Sequence, residues 1–237
     1  MKKFKYVKLA IFLVLIVFSV GCCSKKVPQS NSGFFNPGKQ NNVLFVTKEV
    51  TIKLDVANLE TEGNEPDMQD IPYSFSSGTG VSILSNSNYS DILTAGHVCL
   101  DEALPAGLLE IMTTKFTLYD ISGSAYEGDV IAIDQESDLC LIRVYKTIPP
   151  VTVSKSYPVT GDRVFYSGYP LGLYTPWTLH TFTGYFSGRD SVGFQMYTLP
   201  ATPGSSGSPI YNSDGNLIGI LSAIPEEFDH ITIGAGI

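Results

Sequence analysis

The sequence predicts an all-β protein built as two six-stranded antiparallel β-barrels. Three observations carry this expectation. Val, Ile and Thr together make up about 23% of the 237 residues, whereas Ala and Glu number ten each. That balance favours strands, because β-branched side chains fit a pleated, half-buried surface better than a helix. The 22 Gly and 14 Pro are spread without a period, which suits short strands joined by tight turns and excludes a collagen-like or coiled-coil chain. Finally, past residue 42 the short apolar runs fall into six before the Pro149-Pro150 pair and six after it.

The elements follow in chain order. Lys2, Lys3, Lys5 and Lys8 precede a twelve-residue apolar run from Leu9 to Val20, with small residues at Ser19 and Gly21. This is the layout of a bacterial-type signal peptide over residues 1–21, and the run is shorter than the roughly 20 residues of a comfortable membrane span. Cleavage after Gly21 leaves Cys22 first, and Val20-Gly21-Cys22 resembles the lipobox of bacterial lipoproteins, with Ser19 where Leu is usual. The resemblance implies a lipid on the Cys22 thiol and a membrane-anchored, exported protein. Ser19 and Gly21 also fit an ordinary signal peptidase at the same bond, which gives plain secretion as one alternative, with an uncleaved anchor as the other. Residues 22–42 are rich in Ser, Asn, Pro and Gly without an apolar period and read as a flexible tether.

Strands are expected at 43–56, 80–84, 91–94, 110–119, 126–134 and 139–145, giving an N-terminal barrel over 43–148. A second set at 163–168, 180–187, 193–199, 208–211, 217–222 and 231–237 gives a C-terminal barrel over 149–237. No internal repeat is visible at the level of residues, and past the signal no stretch of twelve residues has a helical period.

Charge narrows the function. The formal net charge is −8, the pI is about 4.8 and only three Arg are present, so nucleic acid is not an expected partner. Loss of residues 1–21, which hold four Lys and no acid, takes the charge to −12. The three His, at 97, 180 and 230, lack partners at metal spacing, and Cys99 and Cys140 stand alone, so no metal or other cofactor is expected.

What remains is a serine nucleophile with its base and acid. Thr94-Ala95-Gly96-His97-Val98 puts a His just after a strand, Ser137-Asp138-Leu139-Cys140 puts an Asp at the start of another, and Pro203-Gly204-Ser205-Ser206-Gly207-Ser208-Pro209 is a Gly-rich turn with a central Ser. A serine hydroxyl is a weak nucleophile and needs a base within hydrogen-bond reach, the role of His97. Asp138 would fix the imidazole tautomer. The small residues of the turn let the backbone N–H groups of Gly204, Ser205 and Ser206 converge on a developing oxyanion, with Gly204 and Ser206 the principal donors. The G-x-S-x-G elbow of α/β-hydrolases does not fit, since Ser208 stands in place of its second Gly and the order here is His, Asp, Ser.

These segments resemble the trypsin-like serine peptidases. Gly161-Asp162-Arg163-Val164, followed by Gly168-Tyr169-Pro170-Leu171-Gly172, is similar to the segment opening the second barrel of bacterial HtrA-type peptidases. The run from Ser208 to Ile220, with its Asp214-Gly215 hairpin signal, is similar to HtrA and glutamyl endopeptidase sequences. The resemblance covers roughly Phe75 to Ile237 and implies a chymotrypsin-like double barrel with the active site between the barrels. It further implies an exported serine endopeptidase acting on protein or peptide substrates, without the PDZ domain that HtrA enzymes carry.

By the same resemblance the S1 pocket is lined by Ala201, Leu221, Ser222, Ala223 and Ile224, none of them charged. Glutamyl endopeptidases have Thr and His at the positions of Ala201 and Leu221, so a small or medium apolar P1 residue is implied instead of Glu. Ser222 would hydrogen-bond Asp138. An exported chain permits a disulfide between Cys99 and Cys140, but both positions face the core in relatives and are small or apolar there, so buried free thiols are at least as well supported. A catalytically silent binding protein on the same scaffold is the alternative function.

Overall fold

Short β-branched segments with one side chain in and the next out close into two barrels. The computed structural model describes residues 40–55, 68–100, 112–191, 193–223 and 232–236. Strands β1 (Val43–Asp55), β2 (Met68–Ser85), β3 (Ser90–Ala95), β4 (Met112–Tyr119), β5 (Ala125–Asp134) and β6 (Leu139–Val144) form a closed barrel in the order β1-β2-β3-β6-β5-β4. Strands β7 (Arg163–Gly168), β8 (His180–Arg189), β9 (Gln195–Tyr197), β10 (Pro209–Tyr211), β11 (Leu217–Ala223) and β12 (Thr232–Gly236) close the second in the order β7-β8-β9-β12-β11-β10. All pairings are antiparallel. One four-residue helix, α1 (Gly96–Cys99), follows β3.

β6 shows how the pattern builds the fold. Its Cys140, Ile142 and Val144 enter the first core beside Leu44, Val46, Ile92 and Leu118. Its Leu139 and Leu141 face a seam where Val81 and Leu93 of the first barrel meet Tyr211, Leu217 and Ile220 of the second. Both faces of the strand are covered, which is why the segment reads as a nearly continuous apolar run. On another seam Phe45 of β1 stacks on Tyr174 with ring centroids 5.2 Å apart and meets Tyr169 edge-on. The connection carrying Pro149-Pro150 is tied to both barrels, since Val151 N–H donates to the Ser82 carbonyl and Leu217 N–H to that of Thr152, each at 2.8 Å.

Apart from the start of β2, the strand ends fall within two residues of those expected. β2 starts at Met68, twelve residues before the expected 80, because it pairs with β1 out to Asp55. Pro72, which argues against a strand, is accommodated where the register slips and Tyr73 has no opposite residue. The last residues assigned to the tether are attached: Gln40 is buried, and the Asn42 carbonyl accepts from Ser82 N–H at 2.9 Å. The signal segment, Cys22 and the rest of the tether lie outside the described residues, as do Glu110, Ile224, His230, Ile231 and Ile237.

Cys99 and Cys140 form a disulfide with Cα atoms 6.4 Å apart, which overturns free thiols. Cys140 lies opposite Thr94 at the end of β3 and points into the core, and α1 turns back so that Cys99 reaches it. Both residues are buried, at 5% and 1% exposure.

Candidate active site

β3 leads into His97, the candidate base. All six of its residues are buried, and α1 begins directly after it with no side-chain cap at Ala95. The orphan N–H groups of the helix start are taken up by Asp138 instead. Gly96 N–H donates to the Asp138 carbonyl oxygen at 2.8 Å, and His97 N–H to its Oδ1 at 2.8 Å. Position 96 must be glycine, because a Cβ there would lie 2.9 Å from Asp138 Oδ1 and 3.0 Å from its carbonyl carbon. Asp138 itself sits in the β5–β6 turn with φ of +50°, a conformation Asp tolerates better than most residues.

The side chains then meet. His97 Nδ1 lies 2.9 Å from Asp138 Oδ2 and 3.2 Å from Oδ1. A carboxylate only accepts, which assigns the ring proton to Nδ1 and leaves Nε2 as the free base. Ser222 Oγ, on β11, donates to Asp138 Oδ2. Partial burial pushes the Asp138 carboxyl up, but the hydrogen bonds from His97 and Ser222 outweigh it and hold the group below the ordinary carboxylate value.

Ser206 comes from the second barrel. Its turn is wound by Ser205 N–H to the Thr202 carbonyl at 2.9 Å and Ser208 N–H to that of Ser205 at 3.0 Å, and Gly207 N–H to Leu221 O at 2.7 Å secures it to β11. Ser205 and Ser208 are wholly buried, whereas Ser206 is partly exposed, so of the three hydroxyls only the last can meet a substrate. In this structure Ser206 Oγ donates to the Ser222 carbonyl at 3.5 Å and not to His97. Of the three backbone donors expected for the oxyanion, Ser205 N–H is already committed to Thr202, a correction that leaves Gly204 and Ser206, which donate to no described residue.

Residues from both barrels line one cavity of about 330 Å³: His97, Ala201, Thr202, Pro203, Ser206, Leu221 and Ser222. Three of the five expected pocket residues are among them. The Ala223 side chain and Ile224 lie outside the described residues. A larger cavity of about 540 Å³, reaching from Glu136 and Ser137 to Arg189 and Phe194, is lined by none of His97, Asp138 and Ser206. His180 opens β8 and takes no part in the site.

Sequence reasoning missed Thr79. From the middle of β2 its N–H donates to Ser206 O at 2.8 Å and its Oγ1 to Gly204 O at 3.2 Å. The same Oγ1 accepts from Tyr169 N–H at 3.1 Å, and the Thr79 carbonyl accepts from Thr94 Oγ1 at 2.7 Å. The signal available was a threonine between Gly78 and Gly80 inside a strand, a pattern that marks close approach of another backbone.

A family model, the trypsin-like peptidase domain, matches residues 78–220. Among known proteins, the serine protease named HhoB of Synechocystis sp. is 30% identical over 156 residues, 62% of this chain and 35% of its own length. A DegP-like periplasmic serine endoprotease of Chlamydia muridarum is 31% identical over 155 residues, 62% of this chain and 28% of its own length. The chain thus spans about a third or less of these curated relatives. The crystal structure of a serine endoprotease from Yersinia pestis is similar in fold, with a TM-score of 0.58 and 21% identity, covering 83% of this chain and 59% of that one.

Proposed function

Since the chain belongs to the trypsin-like peptidase domain family, we propose that it is an exported serine endopeptidase working through an acyl-enzyme intermediate. The observation that carries this is the 2.9 Å contact of His97 Nδ1 with Asp138, beside a cavity that Ser206 also lines. For the reaction Ser206 Oγ must leave the Ser222 carbonyl and reach His97 Nε2. Oγ attacks the scissile carbonyl carbon as its proton passes to Nε2, and Asp138 stabilises the imidazolium formed. Gly204 and Ser206 N–H groups receive the oxyanion. On collapse the C–N bond breaks, His97 protonates the leaving amine, and water then cleaves the Ser206 ester by the same route.

The pocket suggests the substrate. A buried P1 Arg or Lys needs a carboxylate, and a P1 Glu needs a cation or several hydroxyls. The lining holds no carboxylate and no cation apart from His97, and of its three hydroxyls Ser222 Oγ is committed to Asp138 and Ser206 is the proposed nucleophile, which leaves Thr202 alone. Peptide-library profiling should rank P1 Val, Ala, Leu and Ile ahead of charged residues by about tenfold, or roughly 1.4 kcal/mol. A preference for Arg would overturn this pocket assignment and leave the triad untouched.

Export is supported by the signal-like segment and by the periplasmic relative. A lipid on Cys22 would fix the mature protein to a membrane, with residues 22–42 as spacer and 43–148 and 149–237 as the two barrel domains. The silent scaffold draws on one observation, that the Ser206 hydroxyl contacts the Ser222 carbonyl and makes no hydrogen bond to His97. Fluorophosphonate labelling with peptide mass spectrometry separates the two. An adduct on Ser206, with Ser206→Ala and His97→Ala each lowering turnover by about three orders of magnitude or more, is the result expected of the enzyme. Undiminished casein hydrolysis by Ser206→Ala would sink the assignment.

A further inference from the structure

The disulfide joins the two halves of the base–acid pair. Cys99 lies two residues beyond His97 and Cys140 two beyond Asp138. A helix of four residues has no stability of its own, and α1 is closed at its far end by Leu100 N–H to Gly96 O at 3.2 Å. Its start is pinned by the residue it must face, through Gly96 N–H and His97 N–H to Asp138. Its far end is pinned by Val98 in the core, by Lys48 Nζ on the Leu100 carbonyl, and by the disulfide. Only the last joins that end covalently to the Asp-bearing strand among the described residues. Cys140 is itself fixed by pairing with Thr94 of β3 and Ile133 of β5.

We infer that the Cys99–Cys140 disulfide is a positioning element of the catalytic pair, and that turnover therefore depends on an oxidising environment; this rests on the triad assigned above. Both cysteines are buried, so a reductant gains access only when α1 lifts, the motion that separates His97 from Asp138. A dithiol breaks the S–S bond by giving up two electrons and two protons, leaving Cys99 and Cys140 as thiols while its own sulfurs close into a disulfide.

The full chain is assayed on a peptide substrate as wild type, as the Cys99→Ala/Cys140→Ala double variant, and as wild type opened with dithiothreitol. Peptide mass spectrometry reads the fraction of this bridge that is open, and circular dichroism reads the fold. The expected result is a fall in kcat of tenfold or more with KM within twofold, slower fluorophosphonate labelling of Ser206, unchanged circular dichroism, and recovery on reoxidation. A folded double variant with kcat within twofold of wild type overturns the inference. If the double variant does not fold, the reduction series decides: activity that persists with the bridge open, or is lost only along with the circular dichroism signal, also overturns it. Failure of oxidised wild type to label at Ser206 is a different result, since it removes the triad itself.

Discussion

Asp138 holds the start of α1, orients His97 and accepts from Ser222, all from a turn residue with φ of +50°. Asn tolerates the same backbone, so Asp138→Asn isolates the charge. Its amide would donate to Nδ1, move the ring proton to Nε2 and present the wrong tautomer to Ser206, so kcat should fall by about 10⁴ with KM little changed. The linkage has a definite sign. The folded-state carboxyl titrates below the ordinary value, so its contribution to stability is fully present above the unfolded pKa of about 3.9 and is lost as pH falls through the lower folded value. Urea midpoints should therefore show wild type more stable than Asp138→Asn at pH 6, with the gap narrowing below about pH 4. A gap of the same size at pH 3 would mean that the paired carboxylate is not its source.

At the scale of elements, the nucleophile turn is shaped by a strand of the opposite barrel. Thr79 of β2 holds the carbonyls of Gly204 and Ser206 by two hydrogen bonds, which fixes the backbone of the turn that carries Ser206. Thr79→Val keeps the shape but removes the hydroxyl, leaving Gly204 O and Tyr169 N–H short of a partner. Chemical denaturation should show a loss of about 1–3 kcal/mol, accompanied by a lower kcat at similar KM. Gly207 is a sharper case: its φ is +83°, and a Cβ would stand 1.9 Å from the Thr79 carbonyl oxygen. Gly207→Ala should therefore abolish fluorophosphonate labelling, and normal labelling would show that β2 can yield. These contacts mark where the sequence stops being legible. His97, Asp138 and the glycine-rich turn sit in local patterns that disclose their chemistry, whereas Thr79 finds Gly204 125 residues away. A hydroxyl with a distant partner looks like any strand threonine. The same holds for the outer part of β2, whose Pro72 and weak alternation are compensated by pairing with β1. Cys99 and Cys140 stayed ambiguous because spacing does not say which side chains share a core. Once joined, they close a loop of sequence separation 41, a constraint of about 4 kcal/mol on the unfolded chain in the entropic account.

At the scale of the whole molecule, the two barrels share one strand order without a repeat in the residues, because alternation fixes which face is buried and not which strands are neighbours. The order brings His97 and Asp138 from the first barrel to Ser206 and Ser222 of the second across the seam of Val81, Leu93, Tyr211, Leu217 and Ile220. The proposed lipid on Cys22 would hold such a molecule at a membrane against its net charge. Without residues 1–21 the formal charge is −12, so net charge sets the barrels against an anionic bilayer. Attachment would rest on acyl chains, at about 0.8 kcal/mol per buried CH₂, and more than one chain is needed to hold a protein firmly. Wild type should accordingly partition into detergent, carry the added mass on its N-terminal peptide and stay bound at high salt, where electrostatic contacts are screened. Cys22→Ser should lose all three properties and keep full peptidase activity. Recovery of unmodified wild type from the aqueous phase, beginning at Cys22, would replace the anchor with plain secretion.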